Sequence, residues 1–132
     1  MAKKTIVIST AFSINMIPQT ICETPISFTR ISSDEARNLV KNADSILSIV
    51  GHPDTAHVFG NILNAEINPN RISFTMDTEY KASNINPHPE ETRVLLVGQY
   101  TGPRLAEGAT TLPEGARIDW WLVDYFWDYD LR

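Results

Sequence analysis

Ser48-Ile49-Val50-Gly51-His52-Pro53-Asp54-Thr55 is the stretch from which the rest of this chain is read. An apolar run ends at a glycine, presents a histidine and continues through a proline. Proline suits the first turn of a helix, because the amide it lacks would have no helical partner there. The stretch therefore predicts a strand, a sharp turn and a helix start, with His52 at or beside the N-cap. Orphan amides and the positive end of the helix dipole attract phosphate at such a position. A histidine there can also move a proton near neutral pH. Turn histidines serve structure alone as well, so this one acquires chemical meaning only together with other stretches.

The bulk numbers set the frame. At 132 residues the chain is expected to be a single domain over 1–132, long enough for a real core. No apolar run approaches the roughly 20 residues of a membrane span, and Lys3 and Lys4 lead into a strand without a signal-peptide core. The expectation is a cytoplasmic protein with no membrane partner. The one cysteine, Cys22, rules out an internal disulfide and offers no metal-site spacing. A net charge of −5 argues against a broad footprint for long DNA or RNA. A nucleotide ligand should be small and held in a local pocket.

Outward from the His52 turn, alternating and β-branched runs predict strands at Thr5–Ser9, Pro25–Arg30, Arg71–Met76, Val94–Val97 and Ile118–Trp127. Ser32-Ser33-Asp34-Glu35 matches a capping box, and Ala36, Leu39, Val40 and Ala43 follow as an apolar stripe. A second helix is expected from Pro53 to Asn64, burying Ala56, Phe59, Ile62 and Leu63. His57 lies five positions after His52, about 140° around a helix, so the two cannot form a zinc pair on one face. The final strand is apolar on both faces, Ile118, Trp120 and Leu122 against Trp121 and Val123. It is therefore either central or covered by a partner chain.

Several polar groups fall at predicted strand ends, where α/β sheets commonly bind ligands. Ser13 and Asn15, after the first strand, suit either a base or ribose or their own turn backbone. Arg71 is either a phosphate ligand or a rim salt bridge. Four of the six glycines lie between Gly98 and Gly115, marking residues 98–116 as a functional loop. Arg104 and Glu107 are its first charged groups, and as a bare exposed pair they would contribute under about 1 kcal/mol. Residues 78–92, with Pro87, Pro89 and His88, read as an irregular excursion.

Taken together, Ala11-Phe12-Ser13-Ile14-Asn15-Met16, Gly51-His52-Pro53-Asp54-Thr55, Arg104-Leu105-Ala106-Glu107-Gly108 and Asn70-Arg71 resemble the small ring nucleases of archaeal viruses and bacteriophages. Members of that family act as anti-CRISPRs against type III systems by degrading cyclic tetra-adenylate. The resemblance spans most of the chain in consistent order, with 78–92 as a variable loop outside it. It implies a two-fold homodimer, a cyclic tetra-adenylate ligand and no cofactor or metal. It also implies His52, Glu107 and Arg104 as catalytic residues, and Ser13, Asn15, Gly51, Thr55 and Arg71 as ligand-binding ones. Under it, His52 is the general acid, Arg104 clamps the phosphate, and Glu107 orients the ribose 2′-hydroxyl or takes its proton.

The fold expected is a single α/β domain, a mixed sheet of about five strands with helices mainly on one face. Two further functions are consistent with parts of the sequence. A non-catalytic sponge for a cyclic nucleotide would keep Arg71, Ser13 and Asn15 without needing His52 and Glu107. A small viral protein binding DNA or a host protein would use the aromatic final strand, although the negative charge speaks against DNA.

Overall fold

The computed structural model describes residues 3–17, 26–75 and 91–125. In chain order these form β1 (Lys3–Ser9), a 3-10 turn (Ile14–Met16), β2 (Ile26–Ile31), α1 (Ser33–Lys41), β3 (Ser45–Ser48), α2 (Pro53–Leu63), β4 (Glu91–Thr101) and β5 (Arg117–Tyr125). One five-stranded sheet has the order β2-β5-β4-β1-β3. β1 runs parallel to β3 and β4, while β5 is antiparallel to β4 and β2. The sheet is mixed and the fold is α/β.

The register sorts the side chains. Ile6 and Ile8 of β1, Leu96 of β4 and Trp120 of β5 join Ala36 and Val40 of α1 and Ala56, Phe59 and Leu63 of α2 in one core. Both helices thus lie on one face. Val7, Leu95, Val97 and Val123 point the other way, into a smaller cluster with Met16. β5 is hydrogen-bonded to β2 on one side and β4 on the other, so its two apolar faces belong to an interior strand.

Local signals explain the helices. The Ser32 hydroxyl accepts from the Glu35 amide at 3.0 Å and the Glu35 carboxylate accepts from the Ser32 amide at 3.2 Å, completing the capping box. α2 begins with Pro53 in its first turn and ends at Asn64, whose φ of 56° gives the left-handed cap that stops a helix. On its buried side Phe59 meets Trp120 edge-on, with ring centroids 5.0 Å apart.

Four expectations need correction. Arg71–Thr75 pairs with no strand, and Met76 lies outside the described residues. The segment is held at its head instead, where the Asn70 side chain donates to the Ser48 carbonyl and its amide to the Val50 carbonyl. Only Phe74 packs inward, and Ile72 stays 49% exposed. β4 extends beyond Val94–Val97 at both ends, so the loop starts at Gly102 rather than Gly98. Gly98 is a packing glycine: a Cβ there would come within 2.6 Å of Phe59 and 2.7 Å of Trp120. Residues 91 and 92, assigned above to the excursion, already belong to β4, and the rest of 78–92 lies outside the described residues. β5 begins at Arg117, and Phe126 and Trp127 fall outside the described residues. So does Cys22.

Candidate functional site

Because β1, β3 and β4 run parallel, their carboxyl ends reach the same end of the sheet. Ser9 leads into the Ser13–Asn15 turn, Ser48 into Gly51-His52, and Thr101 into the loop bearing Arg104 and Glu107. Three stretches far apart in sequence are therefore brought to one end of the sheet by topology alone, the usual place for ligands in open α/β sheets.

His52 is the N-cap of α2, with extended backbone at φ −101° and ψ 126°. Its Nδ1 accepts from the Asp54 amide at 3.3 Å, as a capping side chain does. A ring nitrogen that accepts carries no proton, so the neutral imidazole bears its proton on Nε2. The side chain is 57% exposed. Beside it, the Arg71 guanidinium donates from Nε to the Gly51 carbonyl at 3.0 Å. A Cβ on Gly51 would meet the Arg71 side chain at 3.2 Å, so the glycine lets the arginine lie close along the turn. Arg71 engages backbone here, and no described carboxylate forms a salt bridge with it.

The loop between β4 and β5 is fastened to α2. The Gly108 amide donates to Asp54 Oδ1 at 2.9 Å, and the Asn61 side chain donates to the Thr110 carbonyl at 3.0 Å. At its base the Tyr100 hydroxyl donates to the Pro103 carbonyl. Gly108 has φ 81°, a left-handed conformation that glycine adopts without penalty. Arg104 and Glu107 lie between these fastenings, both exposed.

Ser13 caps the 3-10 turn, its hydroxyl accepting from the Asn15 amide at 3.3 Å. Ser13 thus bonds its own turn backbone, while both side chains remain exposed. Thr55 sits half-buried in the first turn of α2. Next to Ser13, on the face away from α1 and α2, opens a cleft of about 530 Å³ lined by Thr10, Ala11, Phe12, Phe28, Val97, Gln99 and Trp121. Phe12 and Phe28 meet edge-on at 5.4 Å, and the Arg30 guanidinium lies 4.7 Å from the centre of the Trp121 ring system.

His57 is exposed on α2. No group of three His, Cys, Asp or Glu side chains is placed to hold a metal ion among the described residues. Nor is any described helix long and apolar enough to cross a membrane.

Sequence reasoning missed Asp54, Asn61 and Asn70 as the residues that assemble this end of the molecule. Asp54 is acidic in a first helical turn, which the helix dipole alone would favour. Nothing local announces that its carboxylate reaches a glycine 54 positions away. Asn70, within an Asn-Pro-Asn turn, gave the better hint, because such side chains often bond nearby backbone.

No curated protein matches the sequence. Among solved structures, the chain is similar to B116 of Sulfolobus turreted icosahedral virus. The TM-score is 0.66 at 18% identity, over 90% of this chain and 97% of that one. At that identity the likeness concerns the fold. Residues 6–114 match the STIV B116-like family, a span that runs from Ile6 within β1 through the Arg104–Glu107 loop. The chain belongs to the STIV B116-like family.

Proposed function

We propose that this chain is a ring nuclease that cleaves cyclic tetra-adenylate to linear di-adenylate ending in a 2′,3′-cyclic phosphate, and so suppresses type III CRISPR signalling. The observation that carries the reading is the convergence of His52, Arg71 and the Arg104–Glu107 loop at one end of the sheet, with the loop tied to the first turn of α2 through Asp54. The resemblance of the same stretches to ring nucleases supplies the substrate. The aromatic cleft beside Ser13 has room and π-surface for a base, and stacking on aromatic side chains is a common way to hold unpaired nucleotides.

The reaction needs no nucleophile from the protein. The ribose 2′-oxygen attacks its neighbouring phosphorus, the bond from phosphorus to the 5′-oxygen breaks, and the 5′-oxygen takes up a proton. Holding attacking oxygen, phosphorus and leaving oxygen in line accounts for much of the rate. His52 donates its Nε2 proton to the leaving oxygen; to act as an imidazolium it takes a proton on Nδ1 as well, and the bond that Nδ1 accepts from the Asp54 amide then opens. Arg104 and Arg71 offset the charge that builds on the phosphate. Glu107 orients the 2′-hydroxyl or takes its proton. Two such cleavages turn one ring into two di-adenylates. A two-fold homodimer would match the ring's own symmetry, each subunit serving one half.

The test is incubation with cyclic tetra-adenylate in excess EDTA, comparing the wild type with His52→Ala. Wild type should yield di-adenylate, and the variant should bind but turn over at least about a hundredfold more slowly. Binding without cleavage by either protein would establish a sponge instead. No binding by either would remove cyclic tetra-adenylate as the ligand.

A further inference from the structure

Asp54 touches both halves of the proposed site. Its Oδ1 accepts from the Gly108 amide at 2.9 Å, and its Oδ2 lies 3.8 Å from Nδ1 of His52. Its own amide donates to that same Nδ1 at 3.3 Å. The carboxylate is 14% exposed, while the His52 side chain beside it is largely open. We propose that Asp54 is a positioning residue, holding the Arg104–Glu107 segment against the His52 turn.

The loop's own construction argues for this. Between Gly102 and Ala116 it forms no strand or helix, so its placement depends on side chains that reach it. The Tyr100–Pro103 bond fixes it before Arg104, and the Asn61–Thr110 bond fixes it after Gly108. The Asp54–Gly108 bond is the fastening next to Glu107. A bond from a backbone amide to a carboxylate is stronger than one between neutral groups. Here the acceptor stands on the first turn of a helix, a rigid mount shared with His52. One short rigid element thereby sets the distance between the histidine and the loop's charged groups.

An acidic residue in a first helical turn is also favoured simply by the dipole, so the test must separate the two roles. Asp54→Ala removes the acceptor but keeps the amide that donates to the His52 ring. Asp54→Asn loses the charge but keeps an Oδ1 acceptor for Gly108. A dipole role predicts that both variants behave alike, because both lose the charge. A positioning role predicts that the Asp54→Asn variant is rescued and the Asp54→Ala variant is not.

The chemical consequence rests on the nuclease reading, but the placement of the loop does not, so the experiment has two arms. Without ligand, NMR hydrogen exchange is read at the Gly108 amide in all three proteins. Exchange should quicken by about tenfold or more in Asp54→Ala and stay near wild type in Asp54→Asn, with the α2 interior unchanged in both. With cyclic tetra-adenylate, kcat should fall about tenfold to a hundredfold in Asp54→Ala while KM moves little, and Asp54→Asn should recover most of it. Unchanged Gly108 exchange in Asp54→Ala overturns the proposal, as does equal quickening in both variants. If the wild type cleaves nothing, the nuclease reading fails, and the exchange arm still decides whether Asp54 holds the loop.

Discussion

The two faces of this sheet carry side chains from the same strands but are closed to different degrees. On one, α1 and α2 lay Ala36, Val40, Ala56, Phe59 and Leu63 over Ile6, Ile8, Leu96 and Trp120, and nearly every one of these residues is out of reach of water. On the other, no helix packs among the described residues: a 3-10 turn contributes Met16, an irregular segment contributes Phe74, and Phe28 is left 49% exposed at the mouth of an aromatic cleft. The helix-covered face holds the fold together, and it carries α2, whose first turn positions His52. The other face carries the aromatic cleft of about 530 Å³. The larger core thus lies on one side of the sheet and the open aromatic cleft on the other, and substitutions on the two sides should behave differently.

The largest effect is expected on the covered face. Phe59 is fully buried and meets Trp120, so Phe59→Ala removes a ring from a site walled by strand and helix. Loss of about 3–5 kcal/mol is expected, read as a lower urea midpoint with little change in slope. A loss below about 1 kcal/mol would mean that this face is looser than its burial implies.

Gly98→Ala probes the same wall from the strand. A methyl group there would stand 2.6 Å from Phe59 and 2.7 Å from Trp120, contacts that rings locked in a packed core cannot relieve cheaply. About 1–3 kcal/mol of destabilisation is expected, again by urea unfolding, and Gly98→Ala combined with Phe59→Ala should cost less than the sum. Additive costs would show that the two residues do not share a constraint.

Gly98 also shows why parts of the molecule were legible and others not. Where a signal is local the sequence carried it: the Ser32–Glu35 capping box, Pro53 after an N-cap histidine, the double apolar faces of the last strand. Gly98 read as a loop glycine because the two rings that require it come from α2 and β5, remote in sequence. Arg71–Met76 read as a strand because alternation reports side-chain polarity and not the presence of a neighbour to pair with. The candidate site was legible as residue types in stretches, since His52, Arg104, Glu107 and Arg71 stand out by chemistry. Its assembly was not, because the Asp54–Gly108, Asn61–Thr110 and Asn70–Ser48 bonds each join residues more than twenty positions apart.

On the open face the expected effect is the smallest, and it is the one that most sharpens the contrast. Phe28 lies in β2, the edge strand, half in water, with Phe12 edge-on at 5.4 Å as its aromatic neighbour. Phe28→Ala should therefore cost about 1 kcal/mol or less, the worth of one exposed aromatic pair and part of a ring's burial. The measurement is urea unfolding at two protein concentrations well apart. A small cost that is the same at both means that the face stands open and that the cleft is available to a ligand. A cost of about 3 kcal/mol, growing with protein concentration, would mean that a second copy of the chain covers Phe28 in solution, because mass action ties the stability of an associated state to concentration. In that case the two faces would be equally closed in the assembly, and the contrast between them would hold only for the single chain.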